Sequence, residues 1–501
     1  MGSYTEASTS SHEDGWAQPG KKAINCPMRP IEILMVLICI PPVLWLLIVA
    51  RPLNLAGRIA AGCAGLAMLA HAWFEGAHWQ LIPIYLTVLV LMFLSLRVRT
   101  HGERFLGVVT LMLLICGCAL AAVLPMFQLP KPTGSCPVGT RTEFLIDPSR
   151  KESHSGARAG NREVVLQFWY PSATSRGKHA MYRRWRETNL RSTYQAVLAV
   201  DSVQDAPMAD GQFPVVLFNH AWRGFRNRST FLMQDLASHG FVVVSVAHPW
   251  NAAEVELHDG YVADGRSQPD IGNFFEDTSF SLAQREEVEE SELKIQMADN
   301  RFVLDRLEQM NADKGSPYAG HLDLKHVGEM GHSFGGATAL EMAKEDSRVQ
   351  SALELEGDVL SLAAVEGVDK PVMVMDAQSD FIPENAIHAA DPGSRMLAES
   401  ELARKKAARV TLDQFGGTSV TLRGFNHESF TDEGFFSPLR VLSNVGEVPQ
   451  NRASAVINQL VVAFFLQTLK GEHQAIFEEG SSRMIPEATI QVFPSRQYDP
   501  H

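Results

Sequence analysis

The chain has 501 residues, too many for one ordinary domain. Its 44 Lys+Arg against 57 Asp+Glu leave a net charge of −13 with no basic stripe, which excludes a nucleic-acid binder, because such binding needs clustered cations to displace counterions. Four of the six cysteines (Cys39, Cys63, Cys116 and Cys118) lie inside apolar runs, so no disulfide framework is indicated, and no Cys/His spacing matches a zinc site.

Residues 1–30, rich in Ser, Gly and charge, read as a disordered tail, and the apolar stretch begins too late for a signal peptide. Four apolar runs follow within residues 31–125: Ile33–Ala50, about Ile59–Phe74, about Leu81–Leu96 and Phe105–Leu124. Each is predicted to cross a membrane as a helix, since buried helices of a soluble domain would not recur uncharged four times in so short a stretch. Pro41 and Pro42 are expected to kink the first. Five cations in the links (Arg51, Arg58, Arg97, Arg99, Arg104) against four on the flanks (Lys21, Lys22, Arg29, Lys131) put both tails outside, and with them the second half of the chain, in the periplasm or cell exterior. There Cys26 and Cys136 could pair only if both flanks face an oxidising compartment.

Residues 126–140, with Pro130-Lys-Pro132-Thr-Gly134, read as a stiff linker. Residues 141–480 then alternate β-rich and helical runs, and 481–501 read as a C-terminal tail. Glu163–Tyr170 is an early strand. Phe213–Asn219 and Phe241–Ala247 are near-continuous apolar runs, as in strands buried on both faces of a parallel sheet, with a helix over Thr230–His239 between them. About 251–292 is polar and acidic, a surface excursion that could contribute to a cap; Leu293–Met310 is an amphipathic helix. His326–Met330, Val349–Leu355, Val372–Met375 and Val420–Arg423 are further strands, and Ala337–Lys344 a helix. The fold class is therefore α/β, a doubly wound and mostly parallel sheet with helices on both faces, preceded by about four membrane helices.

Gly331-His332-Ser333-Phe334-Gly335 matches G-x-S-x-G between a predicted strand and a predicted helix, where two glycines permit the sharp turn that exposes the Ser333 hydroxyl. A serine needs a base, and His427, in Arg423-Gly-Phe-Asn-His427 after a late strand, gives the chain order serine first, histidine last. His332 is a support beside the nucleophile. The acid that orients the imidazole is Glu356, with neighbouring Asp358, or Asp380; chain order leaves these open. An oxyanion hole requires two backbone N–H groups, one from Phe334 and one from the loop Asn219–Gly224, where Trp222 is the candidate donor.

These residues resemble the platelet-activating factor acetylhydrolase family of α/β-hydrolases. The resemblance covers roughly residues 130–470 and rests on GHSFGGATA (331–339), Asn219-His220 followed by Gly224-Phe225-Arg226, Asp235–Phe241 and Arg423–His427. The apolar segment ahead of it is similar to that of membrane-tethered microbial relatives. In that family the acid sits in a Leu-Asp-Gly-like step, so the resemblance implies Glu356, in Leu355-Glu356-Gly357. It further implies hydrolysis of short-chain or oxidised acyl esters, including the acetyl group of ether phospholipids, with no metal or cofactor. Segments 251–292 and 384–418 depart from the animal pattern. An acyltransferase using the same three residues, and an inactive membrane receptor or scaffold, are the rival expectations.

Overall fold

A computed structural model describes residues 28–97, 102–154, 158–268, 282–378, 388, 392–478 and 484–494. The residues before 28, with Lys21, Lys22 and Cys26, the link residue Arg99 and the candidate acid Asp380 lie outside the described residues.

The N-terminal part is a bundle of α1 (Pro30–Leu44), α2 (Leu55–His71), α3 (Ile82–Ser95) and α4 (Glu103–Val123). Pro41 and Pro42 both lie inside α1, and a wide π-turn, Trp45–Val49, follows them; each proline removes an N–H from the helical ladder. The stretches Pro30–Val49, Leu55–Gly76 and Glu103–Val123 are long and apolar enough to cross a membrane, and Trp79–Ser95 is a shorter apolar helix. The bundle buries Met35, Val43, Ala64, Ile84, Leu91 and Leu114 inside, while Ile48, Leu66, Trp73, Phe93, Phe105 and Met112 face outward. An apolar outer face around an apolar core is what a bundle surrounded by hydrocarbon requires.

The second part is an eleven-stranded sheet in the order β13-β12-β11-β10-β9-β5-β6-β2-β1-β4-β3. Its strands are β1 (Val138–Lys151), β2 (Asn161–Pro171), β3 (His179–Met181), β4 (Ala199–Gln204), β5 (Phe213–Asn219) and β6 (Val242–Ala247). After the small hairpin β7 (Val255–Glu256) and β8 (Val262–Ala263) come β9 (Leu322–His332), β10 (Val349–Leu355), β11 (Val372–Ala377), β12 (Gly417–Leu422) and β13 (Ala488–Phe493). From β6 through β12 all neighbours are parallel, and β2 and β13 add antiparallel flanks. The helices are α5 (Thr230–Ser238), α6 (Leu282–Ala312), α7 (Phe334–Glu345), α8 (Ser361–Glu366), α9 (Pro392–Phe415), the short α10 (Glu433–Phe436) and α11 (Arg440–Ser443), and α12 (Gln450–Lys470). Two hydrophobic layers result, one joining the sheet to α6, α7 and α8, the other joining it to α5 and α12. Although α12 also has the length and composition of a membrane span, two thirds of it is buried, and it belongs to the second layer.

Four expectations change. Residues 282–292, read as part of an aperiodic excursion, form the first turns of the 31-residue α6. Part of the expected insertion is α9, and part of the expected tail is β13, paired antiparallel with β12. The stretch read as a linker is pinned along its length: Phe127 packs on Tyr182 and Phe436, with ring centroids 5.2 and 4.9 Å away. Further on, the N–H groups of Thr133, Gly134 and Cys136 donate to Asp235 Oδ1, Ser238 Oγ and the Ser238 carbonyl at 2.6, 2.9 and 3.0 Å.

Candidate active site

β9 ends at His332, and α7 begins at Phe334, so Ser333 is the entire connection. It takes φ 57°, ψ −127°, a region that costs a non-glycine residue on the order of 1–3 kcal/mol and persists only where the surroundings hold it. The Ser333 N–H donates to the Leu355 carbonyl at 2.9 Å, and its own carbonyl accepts from Gly336 N–H at 2.8 Å. The glycines explain how the turn fits. A Cβ on Gly331 would run into the Gly335 backbone, and one on Gly335 into the carbonyls of Asn219 and His220. The serine turn is therefore in direct contact with the loop after β5.

That loop is itself fixed. Gly224 N–H donates to the Ala221 carbonyl at 2.7 Å, Arg223 N–H donates to the Asn251 carbonyl at 3.0 Å, and Arg223 has φ 56°. The Trp222 ring meets the Phe334 ring edge to face at 5.0 Å, so the two candidate oxyanion donors belong to residues that pack on each other. His220, buried, donates from Nδ1 to the Ala221 carbonyl at 2.8 Å and accepts the His248 N–H at Nε2 at 3.1 Å. Burial, with His248 beside it, holds its pKa down to about 3, so the ring is a neutral strut.

Glu356 directly follows β10 and is also left-handed, with φ 49°. Its N–H donates to the Met375 carbonyl at 2.8 Å, and its Oε2 accepts the Ala377 N–H, which fixes the carboxylate over the end of β11. It is 7 % exposed. A Cβ on the following Gly357 would strike the Ser333 carbonyl. Asp358 lies two residues further, half-buried, in the same loop.

His427 opens a 3₁₀ turn, His427–Phe430, whose N-cap is Asn426. Its neighbour in space is His332: Nε2–H of His332 donates to the His427 carbonyl at 2.9 Å, and the ring centroids lie 4.5 Å apart. Burial, and next the charge His427 can carry, hold His332 well below the ordinary histidine range. Ser333, Glu356, His427, Trp222 and Phe334 thus gather at the carboxyl ends of β9, β10, β12 and β5, where an open α/β sheet presents its ligands.

Sequence reasoning missed the residues that hold the His427 loop. Asp432, fully buried, accepts from Tyr182 Oη at 2.9 Å and from the N–H groups of Thr230 and Phe231, at the start of α5, at 2.7 and 3.2 Å. Arg228 joins Glu428 at 2.9 Å and Glu433 at 2.6 Å. Behind the loop after β5 a buried polar chain runs from Asn219 through His248 to Asp299 and Arg162, at 3.2, 2.9 and 2.7 Å. Asp432 and Arg228 lie near His427 and Trp222 in the chain but carry no pattern of their own, and Arg162, His248 and Asp299 are remote from every candidate.

The family profile described as platelet-activating factor acetylhydrolase, isoform II, matches residues 127–484, more than half of the chain. The platelet-activating factor acetylhydrolase of Canis lupus familiaris is 23% identical over 419 residues, covering 74% of this chain and 85% of that protein. A probable 1-alkyl-2-acetylglycerophosphocholine esterase of Arthroderma benhamiae is 24% identical over 280 residues, covering 50% of this chain and 64% of that protein. Among solved structures, a ferulic acid esterase from Streptomyces cinnamoneus superposes with a TM-score of 0.59 at 27% identity, covering 73% of this chain and 99% of the esterase. The sheet, the serine turn between β9 and α7 and these likenesses agree: the chain has the α/β-hydrolase fold and belongs to the platelet-activating factor acetylhydrolase, isoform II, family of carboxylic ester hydrolases.

Proposed function

We propose that the protein is a membrane-embedded serine esterase that works through an acyl-enzyme, with Ser333 as nucleophile, His427 as base and Glu356 as the acid that orients the imidazole. The observation that carries this reading is the left-handed Ser333 at the joint of β9 and α7, tied to the residue before Glu356 and flanked by a histidine that bonds His427. His427 takes the Ser333 proton as the hydroxyl oxygen bonds the ester carbonyl carbon. Charge then develops on the carbonyl oxygen, opposite the N–H groups of Trp222 and Phe334. Collapse expels the alcohol, which takes the proton back from His427; water repeats the sequence and releases the acid.

The substrate class is short-chain or oxidised acyl esters of the platelet-activating factor type, a reading supported by the names of the relatives in dog and Arthroderma benhamiae. The helical bundle spans the bilayer, with the hydrolase on the periplasmic or exterior side, as the distribution of cations in the links favours. A cavity of about 760 Å³ where bundle and hydrolase meet, lined by Arg29, Phe127, Leu198, Phe435 and Pro438, would give a bilayer lipid a route toward the His427 loop.

The experiment is Ser333→Ala in the full chain, assayed on a short-chain p-nitrophenyl ester and on an acetylated ether phospholipid, with fluorophosphonate labelling of wild type alongside. Loss of both turnover and label is expected; undiminished turnover sinks the assignment. Product analysis with an added alcohol separates hydrolysis from acyl transfer.

A further inference from the structure

Glu32, His71 and His78 form a cluster far in sequence from the esterase residues. All three are buried, the first two with no exposed surface. Glu32 lies in the first turn of α1, His71 ends α2, and His78 sits in the corner before α3. Both imidazoles aim Nε2 at the same carboxylate oxygen, Glu32 Oε1, at 3.4 Å from His71 and 3.1 Å from His78, and the three atoms lie within 4.8 Å of one another.

The protons decide what this cluster is. Gln80 donates its Nε2–H to the Leu124 carbonyl at 3.3 Å, so its Oε1 faces His78 Nδ1 at 3.0 Å. An amide oxygen only accepts, so His78 carries its proton on Nδ1. A neutral His78 then presents a bare Nε2 lone pair to a carboxylate oxygen 3.1 Å away, a repulsive arrangement. Something positive must lie between them. The other His71 nitrogen, Nδ1, meets Tyr85 Oη at 3.1 Å, so each imidazole is oriented through its far nitrogen, the arrangement that ligating histidines show.

A fourth donor is at hand. Glu75, in the π-turn after α2, places Oε2 at 3.8 Å from His71 Nε2, and that oxygen is buried with no hydrogen-bond partner among the described residues. In both glutamates the remaining oxygen is held by a main-chain N–H, Glu32 Oε2 by Arg29 at 3.0 Å and Glu75 Oε1 by Ile31 at 3.2 Å. The nearby Arg29 guanidinium donates to the Glu75 carbonyl oxygen.

We propose that Glu32, His71, His78 and Glu75 bind one first-row divalent cation of the zinc class. Ligands about 2.0–2.1 Å from a tetrahedral ion lie about 3.3–3.4 Å apart, close to the two separations from Glu32 Oε1. Two imidazole nitrogens and two carboxylates suit such an ion, and a 2+ charge cancels both carboxylates, which a single proton on His78 does not. The ion joins α1 to the corner between α2 and α3. That corner also meets the hydrolase: Trp79 Nε1–H donates to the Arg191 carbonyl at 3.2 Å, and Gly76 lies against Val197. The site is thus a staple at the joint of the two parts, independent of the ester chemistry.

The test uses the full chain in detergent, purified without a polyhistidine tag, equilibrated with Zn²⁺ and dialysed against metal-free buffer. Elemental analysis should find about one equivalent of zinc per chain in wild type and less than about a tenth in His78→Ala and Glu32→Gln. Tyr85→Phe should keep the ion with about ten- to a hundredfold lower affinity. Should the variants fail to fold, zinc-edge X-ray absorption of wild type should show two imidazoles with oxygen ligands at about 2.0–2.1 Å. No retained zinc in wild type, retention unchanged in His78→Ala and Glu32→Gln, or a zinc environment without two imidazoles overturns the proposal and leaves a protonated His78 paired with Glu32.

Discussion

His332 donates from Nε2 to the main-chain carbonyl of His427 at 2.9 Å, so the residue before the proposed nucleophile fixes the backbone of the proposed base. The bond ties β9 to a loop 95 residues later without using either functional group. His332→Leu should lower kcat about ten- to a hundredfold with KM little changed, because a shift of about 1 Å in a reacting group costs that much. His332→Gln, which keeps a donor, should recover part of the loss. Equal kcat in wild type and His332→Leu would show that the bond is idle.

Glu356 and Asp358 are separated by one glycine, and the Ala377 N–H anchors the Glu356 carboxylate over the end of β11. Glu356→Gln should lower kcat by about 10³–10⁴ and Asp358→Asn by less than about tenfold, read on the same ester. Asp380→Asn belongs in the same series, and a large loss confined to it would transfer the role.

Arg228 stands between Glu428 and Glu433, and burial pushes the Glu433 carboxyl above its usual range while Arg228 pulls it back. Arg228→Gln leaves two carboxylates without their cation and should cost about 2–5 kcal/mol of stability, together with kcat, because His427 rides on the same loop. Thermal unfolding of Arg228→Gln with and without Glu433→Gln is the check; the second change should restore part of the loss.

Burial pushes Glu329 on β9 up to about 8, above the ordinary 4.5, although Asn219 and Asn300 donate to its Oε1 at 2.8 and 2.5 Å. The folded value lies above the unfolded one, so the native state binds an extra proton between them. Stability from the neutral acid is full below pH 4.5 and is lost as pH rises toward about 8. Glu329→Gln, which mimics the neutral acid, should flatten this fall and be the more stable protein at pH 9 by on the order of a few kcal/mol. Parallel stability curves for the two proteins from pH 5 to 9 would refute the assignment.

What could be read from the chain follows burial. β5 and β6 are covered on both faces, so their sequences are continuous apolar runs, and the serine turn carries its glycines because no Cβ fits there. β1 escaped because its central residues are only partly buried and alternate with polar ones; the first turns of α6 escaped because Ala283–Glu290 are largely exposed and acidic. β13 is a short edge strand that pairs with β12 along its whole length, yet only Ala488 is buried, with Ile490 and Phe493 half-buried, so its pattern is weak. Asp432 and Arg228 depend on contacts across about 200 residues of chain, which no local pattern encodes. The buried Glu32, His71 and His78 were absorbed into the apolar runs and their links, their spacing unlike that of any local metal motif.

The short stretch from Phe127 to Cys136 leaves the hydrolase no slack, since it is bolted to Tyr182, Asp235 and Ser238 along its whole course. On the proposed placement of the bundle in a bilayer, the domain is held at the lipid surface and does not tumble independently of it. Its turnover would scale with the mole fraction of ester in the lipid surface and be cut by inert lipid diluting it, while lengthening this stretch with a glycine-serine insert would free the domain and erode that dependence.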